Sequence, residues 1–231
     1  MLKRVLIANR GEIALRIIRA CRELDVETVA VYSSADESSL PAQLATRSLC
    51  IGPPRPADSY LNQDAILSAA IASGCDAIHP GYGFLSENPG FADRCVQAGL
   101  VYIGPSGEVI RRMGSKAAAR TLAQNAGVPV VPGSDGPLRD VRQAGTLAEA
   151  IGYPVLLKAS AGGGGRGMRQ VDRPEELEKR FQEAQAEAVA CFGDGEMYLE
   201  KLILSPRHIE FQIMADTQGH VVHLGERDCS I

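Results

Sequence analysis

The sequence predicts an α/β protein that opens with a doubly wound, mainly parallel sheet. Two observations carry this prediction. Through the first hundred residues, short apolar strands alternate with helical segments, as a series of βαβ units does. Beyond the proline- and glycine-rich stretch Val128 to Pro137 the order changes to short helix, strand, glycine run, strand, long helix and further strands. That stretch is the expected domain boundary.

Arg4 to Ala8 reads as the first strand and Gly11 to Leu24 as an amphipathic helix. Ile13, Ile17, Cys21 and Leu24 share one helical face, while Arg16, Arg19 and Glu23 share a charged one. Thr28 to Tyr32 is the next strand, followed by a short helix near Ala42 to Thr46 and a strand at Ser48 to Ile51. A helix from about Gln63 to Ala72 leads to the strand Ala77-Ile78, and one around Phe91 to Ala98 leads to Val101 to Ile103. Glu108 to Asn125 is helix-rich. In the second part, strands fall at Pro154 to Lys158 and Met168 to Val171. Asp172 and Pro174 suit the opening of a long helix reaching about Ala190. Strands at Met197 to Leu199, His208 to Met214 and Val221 to Leu224 complete the series.

Composition narrows the function. A formal net charge of −4, with no basic stripe interleaved with aromatics, argues against nucleic acid as a partner. No apolar run approaches the length of a membrane span, and the N-terminus lacks the long apolar core of a secretory signal. The six cysteines are scattered with no CxxC pair, which argues against zinc and a disulfide framework and fits reduced thiols in a cytoplasm.

The stretch Val155-Leu-Leu-Lys-Ala-Ser-Ala-Gly-Gly-Gly-Gly-Arg-Gly-Met168 carries the chemistry. Gly162, Gly164 and Gly167 match a dinucleotide fingerprint formally, but that motif needs a helix opening at the glycines, and Met168 to Val171 reads as extended. A P-loop needs Lys-Ser/Thr where this chain has Met168-Arg169. A glycine-rich β-hairpin remains, whose backbone N–H groups can close over a polyphosphate. Strand alternation places Lys158 beside Leu156 and opposite Val155 and Leu157, within reach of such phosphates. The bland alternative, a flexible linker, is less suited to flanking by an apolar strand that ends in lysine.

Motifs along the whole chain resemble the biotin carboxylase component of biotin-dependent carboxylases, a branch of the ATP-grasp ligases. They are Ile7-Ala-Asn-Arg-Gly-Glu-Ile-Ala14, His79-Pro-Gly-Tyr-Gly-Phe-Leu-Ser-Glu-Asn88, Tyr102-Ile-Gly-Pro105, Met113-Gly-Ser-Lys116, Pro132-Gly-Ser-Asp-Gly136, Lys158 to Met168 and Glu226-Arg-Asp-Cys229. The resemblance implies a Rossmann-like N-terminal domain over 1–113 that does not itself bind nucleotide, and a helical connection over 114–131. An ATP-grasp lid domain over 132–203 would follow, with the beginning of the C-terminal ATP-grasp domain over 204–231. Asn9-Arg-Gly-Glu-Ile-Ala14 agrees, offering one glycine where a dinucleotide fingerprint needs three.

Carried over by position, Lys116 and Lys158 contact ATP phosphates, Gly164 and Gly165 lie in the covering loop, and His208 lies near the ribose and phosphates. Glu200-Lys201-Leu202-Ile203 holds the adenine, with backbone groups reading the base edge and Glu200 offering an acceptor. Without the resemblance, Glu200 and Lys201 read as a solvated salt-bridging pair, Lys116 as an exposed lysine and His208 as a surface histidine. His79 and its turn read equally as a ligand position or as a turn holding the sheet to the C-terminal domain, and Cys229 as an inert buried thiol.

The implied reaction is ATP-dependent carboxylation of biotin by bicarbonate through carboxyphosphate, with Mg²⁺ sharing the neutralisation of phosphate charge. The implied partners are a biotin carboxyl carrier protein or domain, a carboxyltransferase component and a second copy of the chain in a homodimer to which the Arg16, Arg19, Glu23 face contributes. An acetyl-CoA carboxylase subunit of fatty acid biosynthesis in a bacterial cytoplasm is the default assignment, from the frequency of the free-standing form. The metal, bicarbonate and biotin residues of the family fall beyond Ile231, so no catalytic or metal-ligating residue is assigned and this chain alone is expected to be inactive. The alternatives are another ATP-grasp ligase or a non-catalytic nucleotide-binding fragment.

Overall fold

The computed structural model describes residues 2–114, 116–160 and 167–230, without the side chains of residues 116 and 117. The chain divides into two compact units, Met1–Asn125 and Ala126–Ile231.

The first unit is built on five parallel strands: β1 (Arg4–Ile7), β2 (Glu27–Ser33), β3 (Arg47–Gly52), β4 (Ala77–His79) and β5 (Val101–Tyr102), in the order β3-β2-β1-β4-β5. Helices α1 (Gly11–Glu23), α2 (Leu40–Leu44), α3 (Gln63–Ala72), α4 (Pro89–Gln97), α5 (Gly107–Gly114) and α6 (Lys116–Asn125) connect and extend it. Because successive side chains of a strand point to opposite faces, the sheet has two cores. Leu6, Val29, Val31 and Ile78 pack with α3 and α4 on one face, and Ile7 and Ala30 pack with Ala14, Ile17 and Ile18 of α1 on the other. Side-chain caps open α3 and α4, where Asn62 accepts from the Ala65 N–H and Asn88 from the Phe91 N–H.

The doubly wound parallel sheet is as the sequence predicts, but the buried stripe of α1 is not. Its buried residues are Ala14, Ile17 and Ile18, with Ile13 and Cys21 half-buried. Leu24 is 71% exposed because the helix ends at Glu23 and leaves Leu24 as its C-cap. The helix-rich segment after Glu108 comprises two helices, and the second core-bearing region opens with a helix of 11 residues.

The second unit contains α7 (Val141–Ile151) and an antiparallel sheet of β6 (Val155–Ala159), β7 (Met168–Val171) and β8 (Met197–Lys201), with β6 in the middle. The long helix α8 (Leu177–Phe192) follows a 3₁₀ turn at Pro174–Glu176 and stops at Gly193, which is left-handed at φ 73°. Both helices cover one face of the sheet, burying Val155, Leu157, Val171, Met197 and Leu199 against Ala144, Ala148, Phe181, Ala184 and Ala188. Beyond β8, β9 (Ile209–Ala215) and β10 (Val221–Asp228) form an antiparallel hairpin whose register shifts between His223 and Glu226. Phe211, Ile213, Val222 and Leu224 of that hairpin are exposed.

Candidate active site

Strand register decides which side chains meet on the open face of the second unit. Leu156 lies opposite Glu200, and Lys158 lies opposite Tyr198 on one side and Met168 on the other. Alternation therefore brings Lys158, Glu200, Met168 and Tyr198 out together while Val155 and Leu157 go under the helices. Lys158 Nζ donates to Glu200 Oε2 in an ion pair, each side chain 32% exposed. A half-exposed pair of this kind contributes only about 0–1 kcal/mol. It holds the ammonium on the face without locking it there.

The glycine run leaves and rejoins the sheet beside this pair. The Ser160 N–H donates to the Glu196 carbonyl at 2.8 Å and the Ala159 N–H to the Gly167 carbonyl at 2.8 Å, which fixes both ends. Gly167 sits at φ +67°, and a Cβ there would fall 2.7 Å from that of Ala159. Glycine is required on both counts. Gly164 and Gly165, predicted to cover phosphate, lie outside the described residues.

The other predicted positions are placed as follows. Lys116 is the first residue of α6, its side chain outside the description. Glu200 and Lys201 do not pair with each other, because neighbours in a strand face opposite ways. Lys201 lies under the helices opposite Val155, and its Nζ donates to the Gly152 and Tyr153 carbonyls at 3.0 and 2.9 Å. Those carbonyls follow the end of α7, where a cation offsets the helix dipole. The N–H groups of Lys201 and Leu202 are taken by the Pro132 and Pro154 carbonyls at 2.7 and 3.1 Å. Ile203 at the end of this segment is 50% exposed.

His208 lies just before β9, with Nε2 3.4 Å from Glu210 Oε1 and its N–H on Ser230 Oγ at 2.8 Å. Glu210 also pairs with Arg227 at 2.7 Å, and a hydrogen bond from the Cys229 thiol, then Arg227 and His208, hold its carboxyl below the usual range. Cys229 is exposed rather than buried, correcting the sequence expectation, because it lies just past the hairpin strand β10. These contacts run within the hairpin and not to Lys158 or Glu200.

The His79 turn in the first unit is held by internal hydrogen bonds. The buried Asn9 side chain donates to the Pro80 and Tyr82 carbonyls at 2.7 and 2.8 Å, filling the crevice between the ends of β1 and β4 where the strand order reverses. His79 Nδ1 accepts from the Gly81 N–H at 3.0 Å, and burial holds the imidazole pKa below its ordinary value. Two surface depressions, of about 380 Å³ beside Ile18 and Arg22 and about 350 Å³ beside Gly133 and Gln143, are lined by neither Lys158 nor Glu200. Lys158 and Glu200 lie instead on the open face of the three-stranded sheet. Among the described residues no three His, Cys, Asp or Glu side chains gather in a metal-holding cluster, so no metal ligand is assigned. Nor is any described helix long and apolar enough to cross a membrane.

Comparison with known proteins places this arrangement. Residues 1–110 match the family model for the biotin carboxylase N-terminal domain, and residues 115–231 match that for the ATP-binding domain of the carbamoyl-phosphate synthase L chain. Over all 231 residues the chain is 61% identical to a biotin carboxylase of Halalkalibacterium halodurans, covering 51% of that protein. The chain belongs to the biotin carboxylase family. It spans about half the length of the curated relatives it matches.

Solved biotin carboxylase structures agree in fold. A Campylobacter jejuni biotin carboxylase in a complex described as β-γ-ATP is 52% identical with a TM-score of 0.88, over 99% of this chain and 51% of that one. The biotin carboxylase domain dimer of the Hydrogenobacter thermophilus 2-oxoglutarate carboxylase, with MgADP, ADP and bicarbonate, is 53% identical with a TM-score of 0.85, over 100% of this chain and 51% of that one.

Sequence reasoning missed two charged groups beside the glycine run. Arg169 lies opposite Leu157 and so on the helix-covered face, where Nη1 meets Glu187 of α8 at 2.8 Å. A charged residue alternating with Val171 in a strand was the available signal, since a core-facing arginine needs a partner.

Proposed function

We propose that the native protein carboxylates biotin held on a carrier protein or domain, using ATP and bicarbonate. The observation that carries the proposal is Lys158, set on the open face beside Glu200 and opposite Met168, just before the fixed ends of the glycine run at Ala159, Ser160 and Gly167. In this reading the γ-phosphoryl group of ATP passes to bicarbonate, giving ADP and carboxyphosphate. Carboxyphosphate breaks down to CO₂ and phosphate, the phosphate takes the proton of the biotin ring nitrogen, and that nitrogen bonds to the CO₂. Phosphoryl transfer is catalysed mostly by positioning and charge neutralisation. Lys158 neutralises phosphate oxygens and Lys116 joins it. Amides of the run, Gly164 and Gly165 among them, cover those oxygens, while Glu200 through Ile203 hold the adenine and His208 lies near the ribose. Mg²⁺, when bound with the nucleotide, supplies further charge neutralisation.

The acyl acceptor is selected by a carboxyltransferase component. The biotin carboxylase domain of a 2-oxoglutarate carboxylase is 53% identical over the whole length of this chain, so this region does not fix the acceptor. Acetyl-CoA is our default, with fatty acid biosynthesis in the cytoplasm as its setting. A homodimer is supported by the dimer of the Hydrogenobacter domain.

ADP release by the native protein from ATP, Mg²⁺ and bicarbonate, with and without free biotin, tests the reading. Bicarbonate-dependent turnover that biotin accelerates is expected. Turnover indifferent to biotin points to another ATP-grasp ligase, and no turnover to a nucleotide-binding module.

A further inference from the structure

Helix α8 turns Leu177, Phe181, Ala184 and Ala188 into the core, but on its flank it sets Glu183 and Glu187 one turn apart. Like charges at this spacing repel. Arg169 lies against both, with Nη1 2.8 Å from Glu187 and Nε 3.9 Å from Glu183. An ion pair in such a half-buried position is a poor source of stability, since apolar side chains often do as well or better. Glu187 has a second contact that a merely stabilising pair does not need. Its Oε2 accepts the N–H of Gly167 at 3.3 Å. Among the described residues, the other ties at the ends of the glycine run are backbone to backbone, Ser160 to Glu196 and Ala159 to Gly167. Gly167 is where the run rejoins the sheet, one residue before Met168, which lies opposite Lys158.

We infer that Glu187 is a positioning residue for nucleotide binding: its carboxylate holds the Gly167 amide and the Arg169 guanidinium together, fixing where the glycine run rejoins the sheet opposite Lys158. This rests on the reading of the Lys158 face as the ATP site. Glu187 does not touch the nucleotide in this scheme. It acts through Gly167.

The experiment is a calorimetric titration of ATP into the native protein and its Glu187→Ala and Glu187→Gln variants, with thermal melting of each. Glutamine keeps an oxygen for the Gly167 N–H but loses the charge pairing with Arg169. Both variants lose that pairing, so a drop in melting temperature is expected in both, while only the alanine variant, which also loses the acceptor for the Gly167 N–H, binds ATP more weakly, by about ten-fold. If the unsubstituted protein binds no ATP, the site reading falls and this inference falls with it. If it binds ATP and the alanine variant binds equally well, or glutamine binds as poorly as alanine, the inference alone is overturned. Should the alanine variant not fold, Glu187→Asp replaces it. The shorter side chain is expected to bind ATP more weakly than glutamine does, and equal affinities overturn the inference.

Discussion

Lys201 and Lys158 show how one strand step decides a lysine's work. Paired through register to Val155, Lys201 turns under the helices and donates to the carbonyls of Gly152 and Tyr153, whereas Lys158 turns out towards Glu200. His79 is decided by burial in the same way. Its Nδ1 accepts from the Gly81 N–H, and desolvation lowers its pKa, so the folded chain holds the ring neutral where the unfolded chain, with an ordinary pKa of about 6.5, takes up a proton. More protons then bind to the unfolded state, and stability rises with pH across that window. We expect stability of the first unit to fall as pH drops below about 6.5, levelling off once pH passes below the depressed folded value. His79→Asn preserves an acceptor for Gly81 and removes the titration. It should flatten the dependence of the urea midpoint between about pH 5 and 7. An unchanged slope in that variant would assign the dependence to another group.

At the scale of elements, the hairpin of β6 and β7 does most to define the candidate site. Its alternation was legible in the sequence, because period two sets Leu156 and Lys158 on one face of the strand and Val155 and Leu157 on the other. The role of the run as a hairpin connection was legible too, because Met168 to Val171 suits a strand better than a helix. What lay beyond reading were long-range partners. Arg169 and Glu187 are 18 positions apart and belong to different elements, so no local spacing announces them. The face of α1 was misjudged for a related reason. A stripe through residues 13, 17, 21 and 24 and one through 14, 17 and 18 differ by a small rotation, which the sheet decides and the helix does not. The hairpin also supplies a sharp test. Gly167→Ala must bear a left-handed backbone, costing about 1–2 kcal/mol, and a Cβ 2.7 Å from that of Ala159. The variant is expected to lower the melting temperature of the second unit and weaken ATP binding together. Unaltered melting would mean that the mouth of the hairpin relaxes freely.

Over the whole molecule, each unit closes its own core. The two clusters of the first unit draw on residues from Leu6 to Ile110, and that of the second on residues from Leu138 to Leu199. Among the described residues, none between 111 and 137 belongs to a buried cluster. Two boundaries fall in that interval at different places. The family match changes between residues 110 and 115, whereas the two compact units divide between Asn125 and Ala126. Physical chemistry favours the later one as the weak point. Residues 111–114 are inside α5, whose Ile110 is buried, and helical backbone is hydrogen-bonded and resists proteases. Residues 126–129 follow the last residue of α6 and are exposed. Limited proteolysis of the native protein should therefore cut first between about residues 126 and 131, releasing a fragment of the first unit that still unfolds cooperatively. A first cut at 111–115 would instead show that α6 belongs energetically with the second unit, and that the family boundary is also the mechanical one.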